Sequence, residues 1–192
     1  MNANESRHFY PESYHSELGF KNKLGRAMWG VVWGILFRPS PRTFFGWRRL
    51  LLRLFGGKIA ESAVVYPSAR IYAPWKLEML ERSCLGDFVD CYCVDQVTVG
   101  VDCTVSQYSY LCTASHDIES PSRDLTTAPI RLERGSWVFA GSFVGPGVTV
   151  GEGAIVGARS LVVKSVAPYD VVGGNPAKFI KKRKAEWVEH GE

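Results

Sequence analysis

Residues 138–163 read VFAGSFVGPGVTVGEGAIVGARSLVV, with valine at 138, 144, 150, 156 and 162. A valine at every sixth position matches neither the 3.6-residue period of a helix nor the strict alternation of a half-buried strand. Carried outward, the period selects positions 59, 65, 71, then 79, 85, 91, then 99, 105, 111, then 132, 138, 144, then 150, 156, 162. Thirteen of these fifteen are Ile, Leu or Val, although those types make up only 42 of the 192 residues. Four residues after each, thirteen of fifteen are small or are Val or Cys, Trp75 and Asp95 being the exceptions. Glycine follows the aliphatic position directly at 86, 100, 145, 151 and 157.

A six-residue unit supplies one short strand and one bend, so three units close a triangular coil. The aliphatic side chain fills the interior, a small one fits the narrowing corner, and glycine is expected where the bend demands positive φ. Stacked coils pair through parallel hydrogen bonds, each inward side chain meeting its counterparts above and below. The fold expected is an all-β solenoid of five coils, 59–76, 79–96, 99–116, 132–149 and 150–167. Two extra residues follow each of the first two triplets and fifteen, 117–131, follow the third. That long insertion is expected to leave one corner without disturbing the stack.

The flanks read differently. Residues 21–58 hold nine basic side chains and no acidic one, against a net charge of +4 for the chain. Trp29, Val32, Trp33 and Leu36 fall on one helical face. Pro39 and Pro41 stop that segment. Trp47, Leu50, Leu51 and Leu54 repeat the spacing, with Arg48, Arg49 and Arg53 pointing elsewhere, up to Gly56-Gly57. Such a basic, amphipathic segment is expected either to pack on the solenoid or a neighbouring subunit, or to lie on anionic lipid as a peripheral membrane contact through 21–58. The expected division is 1–58 helical and basic, 59–167 solenoid with loop 117–131, and 168–192 a basic C-terminal segment.

Composition closes off other classes. With 46% hydrophobic and 22% charged residues the chain is of globular type, and its 19 glycines keep no collagen period. The longest uncharged apolar stretch, Ala27–Phe37, is well short of the roughly 20 residues of a spanning helix. The N-terminus lacks the pattern of a secretory signal. The five cysteines, without CxxC spacing, read as reduced thiols in a cytoplasmic protein. A nucleic-acid partner is not expected, because no aromatics interleave the basic run near the C-terminus.

The segment VGPGVTVGEGAIVGARSLVVKSVAPYDVVGGNPAKFIKKR resembles the hexapeptide-repeat acyltransferases, left-handed parallel β-helices. With WKLEM, VSQYSYLCTASHD and GSWVFAGSFVGPGVTVG, the resemblance over residues 20–184 is to the colanic-acid type of exopolysaccharide O-acetyltransferase. It implies an acetyl-CoA donor, a sugar or lipid-linked glycan acceptor, a homotrimer with sites between adjacent prisms, and no metal. His116, alone among histidines within the repeats, matches the catalytic general base, and Asp117 either orients it or starts a turn. Trp137, Ala140, Ala158 and Lys164 match donor-arm positions, and Lys178 and Lys181 match the grip on the 3′-phosphate. Many relatives carry asparagine near Cys93 as an acceptor ligand. Cys93 departs from that, with Tyr92 and Asp95 as substitutes. An acetyltransferase for an antibiotic or small alcohol and a non-catalytic scaffold are the alternatives. A zinc carbonic anhydrase of this shape needs three imidazoles, and the repeats hold one.

Overall fold

A computed structural model describes residues 19–120 and 122–184. Two- and three-residue strands stack into a three-sided parallel prism. The first side carries Lys58–Ile59, Leu77–Met79, Val97–Val99, Ile130–Leu132 and Thr149–Val150. The second carries Val64–Val65, Cys84–Leu85, Thr104–Val105, Trp137–Val138 and Ile155–Val156. It is extended by Asp170–Gly173, against which Lys178–Lys182 folds back antiparallel. The third carries Arg70–Ile71, Asp90–Tyr92, Tyr110–Cys112, Phe143–Val144 and Leu161–Val162. The winding therefore runs past the five coils expected, because Val166 bridges Val150 and Val171 pairs with Ile155 to begin a sixth.

All fifteen hexad positions are buried, none more than 6% exposed. Burying each aliphatic side chain contributes about 1.5–3 kcal/mol before the entropy of ordering is set against it. The register is the one the repeat demands: Ile59 pairs with Met79, Val65 with Leu85, and Ile71 with Cys91.

Two details differ from the expected pattern. At the corner between the third and first sides, Trp75 and Asp95 are only half-buried and Ser115 is exposed; Ala73, Cys93 and Thr113 point inward instead. The extra residues fall at this corner, so the chain turns in early and re-enters at Leu77, Val97 and Ile130. The glycines after the aliphatic positions serve close approach rather than positive φ. A Cβ on Gly100 would lie 2.5 Å from the Leu132 carbonyl oxygen, and one on Gly151 2.6 Å from Pro168 N. The left-handed corner conformation is taken elsewhere, by Arg82, Phe88, Asp102, Tyr108 and Arg159 as well as by glycines.

The N-terminal helices α1 (Phe20–Val32) and α2 (Phe45–Leu54) close the open end of the prism. Between coils, the amides of Ala60, Val64, Tyr66, Arg70 and Tyr72 donate to carbonyls of the coil above: Met79, Ser83, Leu85, Val89 and Cys91. The equivalent carbonyls of the first coil have no coil below. Side chains take its place. Arg53 donates to Ile59 O, Arg49 to Ala63 O, Arg48 to Val65 O, Trp33 to Ala69 O and Trp29 to Ile71 O. Five guanidinium and indole donors thus replace five backbone amides, which meets the requirement that buried carbonyls be hydrogen-bonded.

The apolar face of α2 is split: Leu51 is buried beside Leu52 and Arg48, whereas Trp47, Leu50 and Leu54 are exposed, and the arginines expected to point away instead turn in to the coil edge. In the first segment a π turn at Trp33–Phe37 delays the phase by one residue, so Phe37 is buried in place of Leu36. The basic block therefore has its first anionic partner inside the molecule, in the partial charges of the coil edge.

Candidate active site

The long insertion folds as a hairpin, Ala114–His116 pairing antiparallel with Leu125–Thr127, that leaves the corner between the third and first sides. Its tip is organised by short polar bonds. The Asp117 amide donates to Asp124 O, and the Asp117 carboxylate accepts from the Glu119 amide at 2.9 Å. The Asp124 carboxylate accepts from the hydroxyls of Ser122 and Ser120 at 2.7 and 2.8 Å. Those hydroxyls hold the Asp124 carboxyl below its ordinary range.

His116 is exposed on this hairpin, with Nδ1 2.7 Å from the Arg123 carbonyl oxygen. A carbonyl only accepts, so the proton of the neutral ring lies on Nδ1 and the lone pair on Nε2. Arg123 stands at φ 52°, a left-handed conformation that turns its carbonyl back to the ring. From sequence, Asp117 is either an orienter of the ring or a turn former. Its carboxylate is engaged by the Glu119 amide of the turn, and the group against the His116 ring is a backbone carbonyl seven residues on. The run Ser120 to Asp124, rich in turn formers, was the available signal, but which carbonyl would face the ring is a matter of tertiary geometry.

The three acceptor candidates part company. Cys93 is not at the surface: it is fully buried, its Sγ 3.4 Å from the Ala73 amide and 3.3 Å from the Ala73 carbonyl. The early inward turn at this corner carries it into the core, so its assignment to substrate falls. Tyr92 is half-buried in an outward column of rings on the third side, 4.5 Å from Tyr72 and 6.2 Å from Tyr110. Burial raises its phenol pKa. Asp95 lies at the His116 corner, where Oδ1 accepts from the Gln96 amide at 2.7 Å and Lys76 Nζ stands 3.5 Å away. Thr113 links the two, its hydroxyl donating to Tyr92 O and accepting from the Asp95 amide.

Most of the donor candidates occupy another corner. Trp137 stands outward on the second side, its indole donating to Ser106 Oγ at 2.9 Å and its ring packed edge-on against Phe139 at 4.7 Å. Ala140 and Ala158 follow at the corner between second and third sides, joined by the Arg159 amide donating to Ala140 O. Of three consecutive amides here, Phe139 donates to Val156 O and Gly141 to Gln107 O, while Ala140 has no acceptor among the described residues. Lys164 lies at the His116 corner, two coils beyond the hairpin. It edges a groove of about 530 Å³ lined also by Val163, Pro176, Ala177 and Lys178. In the C-terminal basic run, Lys182 pairs with Asp170 at 2.6 Å and Arg183 donates to Gly153 O, whereas Lys178 and Lys181 are exposed. No cluster able to hold a metal ion occurs among the described residues.

No family model matches the chain. Over 167 residues it is 41% identical to the protein named colanic acid biosynthesis acetyltransferase WcaF in Escherichia coli K12, an alignment covering 86% of this chain and 92% of that protein. The chain belongs to the WcaF-type hexapeptide-repeat acetyltransferases. Solved structures share the fold at lower identity. A hexapeptide-repeat acetyltransferase of Vibrio cholerae, complexed with acetyl coenzyme A, superposes with TM-score 0.79 at 21% identity, over 90% of this chain and 94% of that one. A maltose O-acetyltransferase of Clostridium difficile superposes with TM-score 0.75 at 21% identity, over 87% and 90%. The prism is the left-handed β-helix expected of this acetyltransferase family.

Proposed function

We propose that the chain is an acetyl-CoA-dependent O-acetyltransferase acting on a sugar hydroxyl in exopolysaccharide biosynthesis, by direct transfer with His116 as general base. The observation that carries this reading is the held imidazole: Nδ1–H is committed to the Arg123 carbonyl, which leaves Nε2 free, on an exposed hairpin, to accept a proton. Nε2 takes the hydroxyl proton as the oxygen attacks the acetyl carbon. The Ala140 amide, without an acceptor among the described residues, suits the oxyanion that develops. As the carbon–sulfur bond breaks, the imidazolium returns its proton to the departing thiolate.

Coenzyme A fits the groove and corner residues in kind. Small side chains at Ala140 and Ala158 admit a pantetheine arm close to backbone, Trp137 and Lys164 flank its course, and Lys178 and Lys181 offer exposed ammonium groups to a 3′-phosphate. Tyr92 and Asp95, on the His116 side, remain the acceptor candidates. Trp137, Ala140 and Ala158 belong to one corner of the prism and His116, Asp95 and Lys164 to another, an arrangement that suits a donor bound where these two corners of neighbouring chains meet. A closed trimer of parallel prisms supplies three such junctions. The reading places the enzyme in the cytoplasm, at the inner face of the membrane if the glycan acceptor is lipid-linked.

The test is His116→Ala, assayed by transfer of radiolabelled acetyl groups to a panel of glycans beside coenzyme A binding. Turnover should fall by about 10²–10⁴ with binding retained. Near-normal turnover would remove the base assignment, and absence of coenzyme A binding in the unaltered chain would favour a scaffold.

A further inference from the structure

Ten of the seventeen large hydrophobic side chains exposed on the described residues lie between Phe20 and Leu54. They are arranged in rows. At 3.6 residues per turn, Leu24, Met28, Val31 and Ile35 stand about 160° around α1 from Trp29 and Trp33. Trp47, Leu50 and Leu54 stand similarly opposite Arg48 and Leu52 on α2. The inner rows bond to the edge of the first coil, so the outer rows face along the prism axis, away from the β-helix. Between them lies an open depression of about 610 Å³ lined by Ile35, Leu36, Pro41, Phe44, Trp47 and Leu50. An apolar row on both faces of a helix calls for a second apolar surface.

Charge selects what that surface is. Of the basic side chains in this segment, Arg48, Arg49 and Arg53 serve the coil edge, Arg42 pairs with Asp87 and Arg26 bonds to Asn22. Lys21 and Lys23 remain exposed on either flank of the Leu24 row, and Arg38 lies over the Trp33 ring at the far end of the helix. A second copy docking through the same face would set these cations against their own kind, with no carboxylate from residues 21–58 to offset them. A membrane span is ruled out for α1 and its π turn, since the inner row is engaged and no described helix is long and apolar enough.

We propose that the outer face of the N-terminal cap docks on a bilayer surface containing anionic phospholipid. The rows enter the boundary between headgroups and acyl chains, and the lysines meet the phosphates. The prism then stands on the membrane by its first coil. His116 leaves the third coil. With coils about 4.8 Å apart and a helix layer of about 8–10 Å, it is held about 20 Å above the headgroups. Resting on the reading of His116 given above, that height selects an acceptor glycan carried outward from its lipid rather than one lying in the headgroup plane.

The docking is tested without substrate. The full chain is sedimented with vesicles of phosphatidylcholine alone and of phosphatidylcholine mixed with phosphatidylglycerol. Binding should appear with the anionic lipid and weaken as salt rises. Lys21→Ala and Lys23→Ala should each lower the partition about fivefold. Ile35→Asp combined with Leu50→Asp should abolish it while circular dichroism and acetyl-CoA binding stay unchanged. Three results overturn the proposal: no binding, binding indifferent to phosphatidylglycerol, or a double variant that binds vesicles normally. A double variant that instead breaks a larger assembly, in a chain that ignores vesicles, assigns the face to self-association. None of these outcomes touches the His116→Ala test, and failure of that test leaves the docking standing.

Discussion

Arg48→Leu should destabilise the protein far more than an ordinary helix arginine would. Its guanidinium is fully buried and donates to Val65 O at 2.6 Å, Ser40 Oγ at 2.9 Å, Pro41 O at 2.8 Å and Arg42 O at 2.6 Å. Burial, with Arg49 close by, lowers its pKa, but an arginine stays charged. Leucine keeps the stem's apolar contacts and leaves three carbonyls without these donors. Each orphaned group costs about 1–3 kcal/mol, and relief from burying a charge offsets part of the sum. A net loss of about 3–5 kcal/mol follows, measured by equilibrium unfolding in urea. Arg49→Leu is the control, since it removes one 3.1 Å bond from a half-buried side chain. Its expected loss is about 1 kcal/mol. Hydrogen exchange should localise the difference, the first-coil amides of Val64 and Tyr66 opening sooner in Arg48→Leu. Losses within about 1 kcal/mol of each other would refute the idea that the cap replaces a missing coil.

Three further outcomes follow from the site and the core. Asp117→Asn preserves an oxygen acceptor for the Glu119 amide, so turnover should change only a few-fold; a loss of about 10² or more would restore Asp117 as the orienter of His116. The depressed Asp124 carboxyl contributes its stabilisation in full above the ordinary carboxylate range and loses it as pH falls through the lower folded value. The hairpin tip should therefore keep its amide protection at neutral pH and release it only in stronger acid, and Asp124→Asn should remove that step. All five cysteines are free, four are buried, and burial raises the pKa of Cys84 and Cys103. A disulfide reagent should react slowly with the native chain, first at half-buried Cys84, and with all five thiols after denaturation.

The prism was legible because its period is set by local chain geometry and its inward residues by volume alone. Position 93 shows where that legibility ends. The two extra residues could be counted, but where the slack would be taken up depends on how the corner packs, and that choice sent Cys93 inward and Trp75 outward. The cap shows a second limit. Apolar spacing in α2 groups Trp47, Leu50, Leu51 and Leu54 on one face and sets Arg48, Arg49 and Arg53 away from it, because the rule treats arginine as a surface residue. An unpaired carbonyl edge reverses that preference, and only the stacked coils reveal that the edge exists. His116 could be singled out by position, whereas its partner, the Arg123 carbonyl, carries no side-chain signature at all.

The most direct test of a site shared between chains uses two inactive partners. His116→Ala removes the base, and Ala158→Trp fills the donor corner at an exposed position. Each alone should be inactive in acetyl transfer. Co-expressed in equal amounts and assembled at random, about one junction in four joins an intact His116 to an intact donor corner on the neighbouring chain. About a quarter of the wild-type turnover is predicted. Mixed assemblies as inactive as their parents would contradict the account.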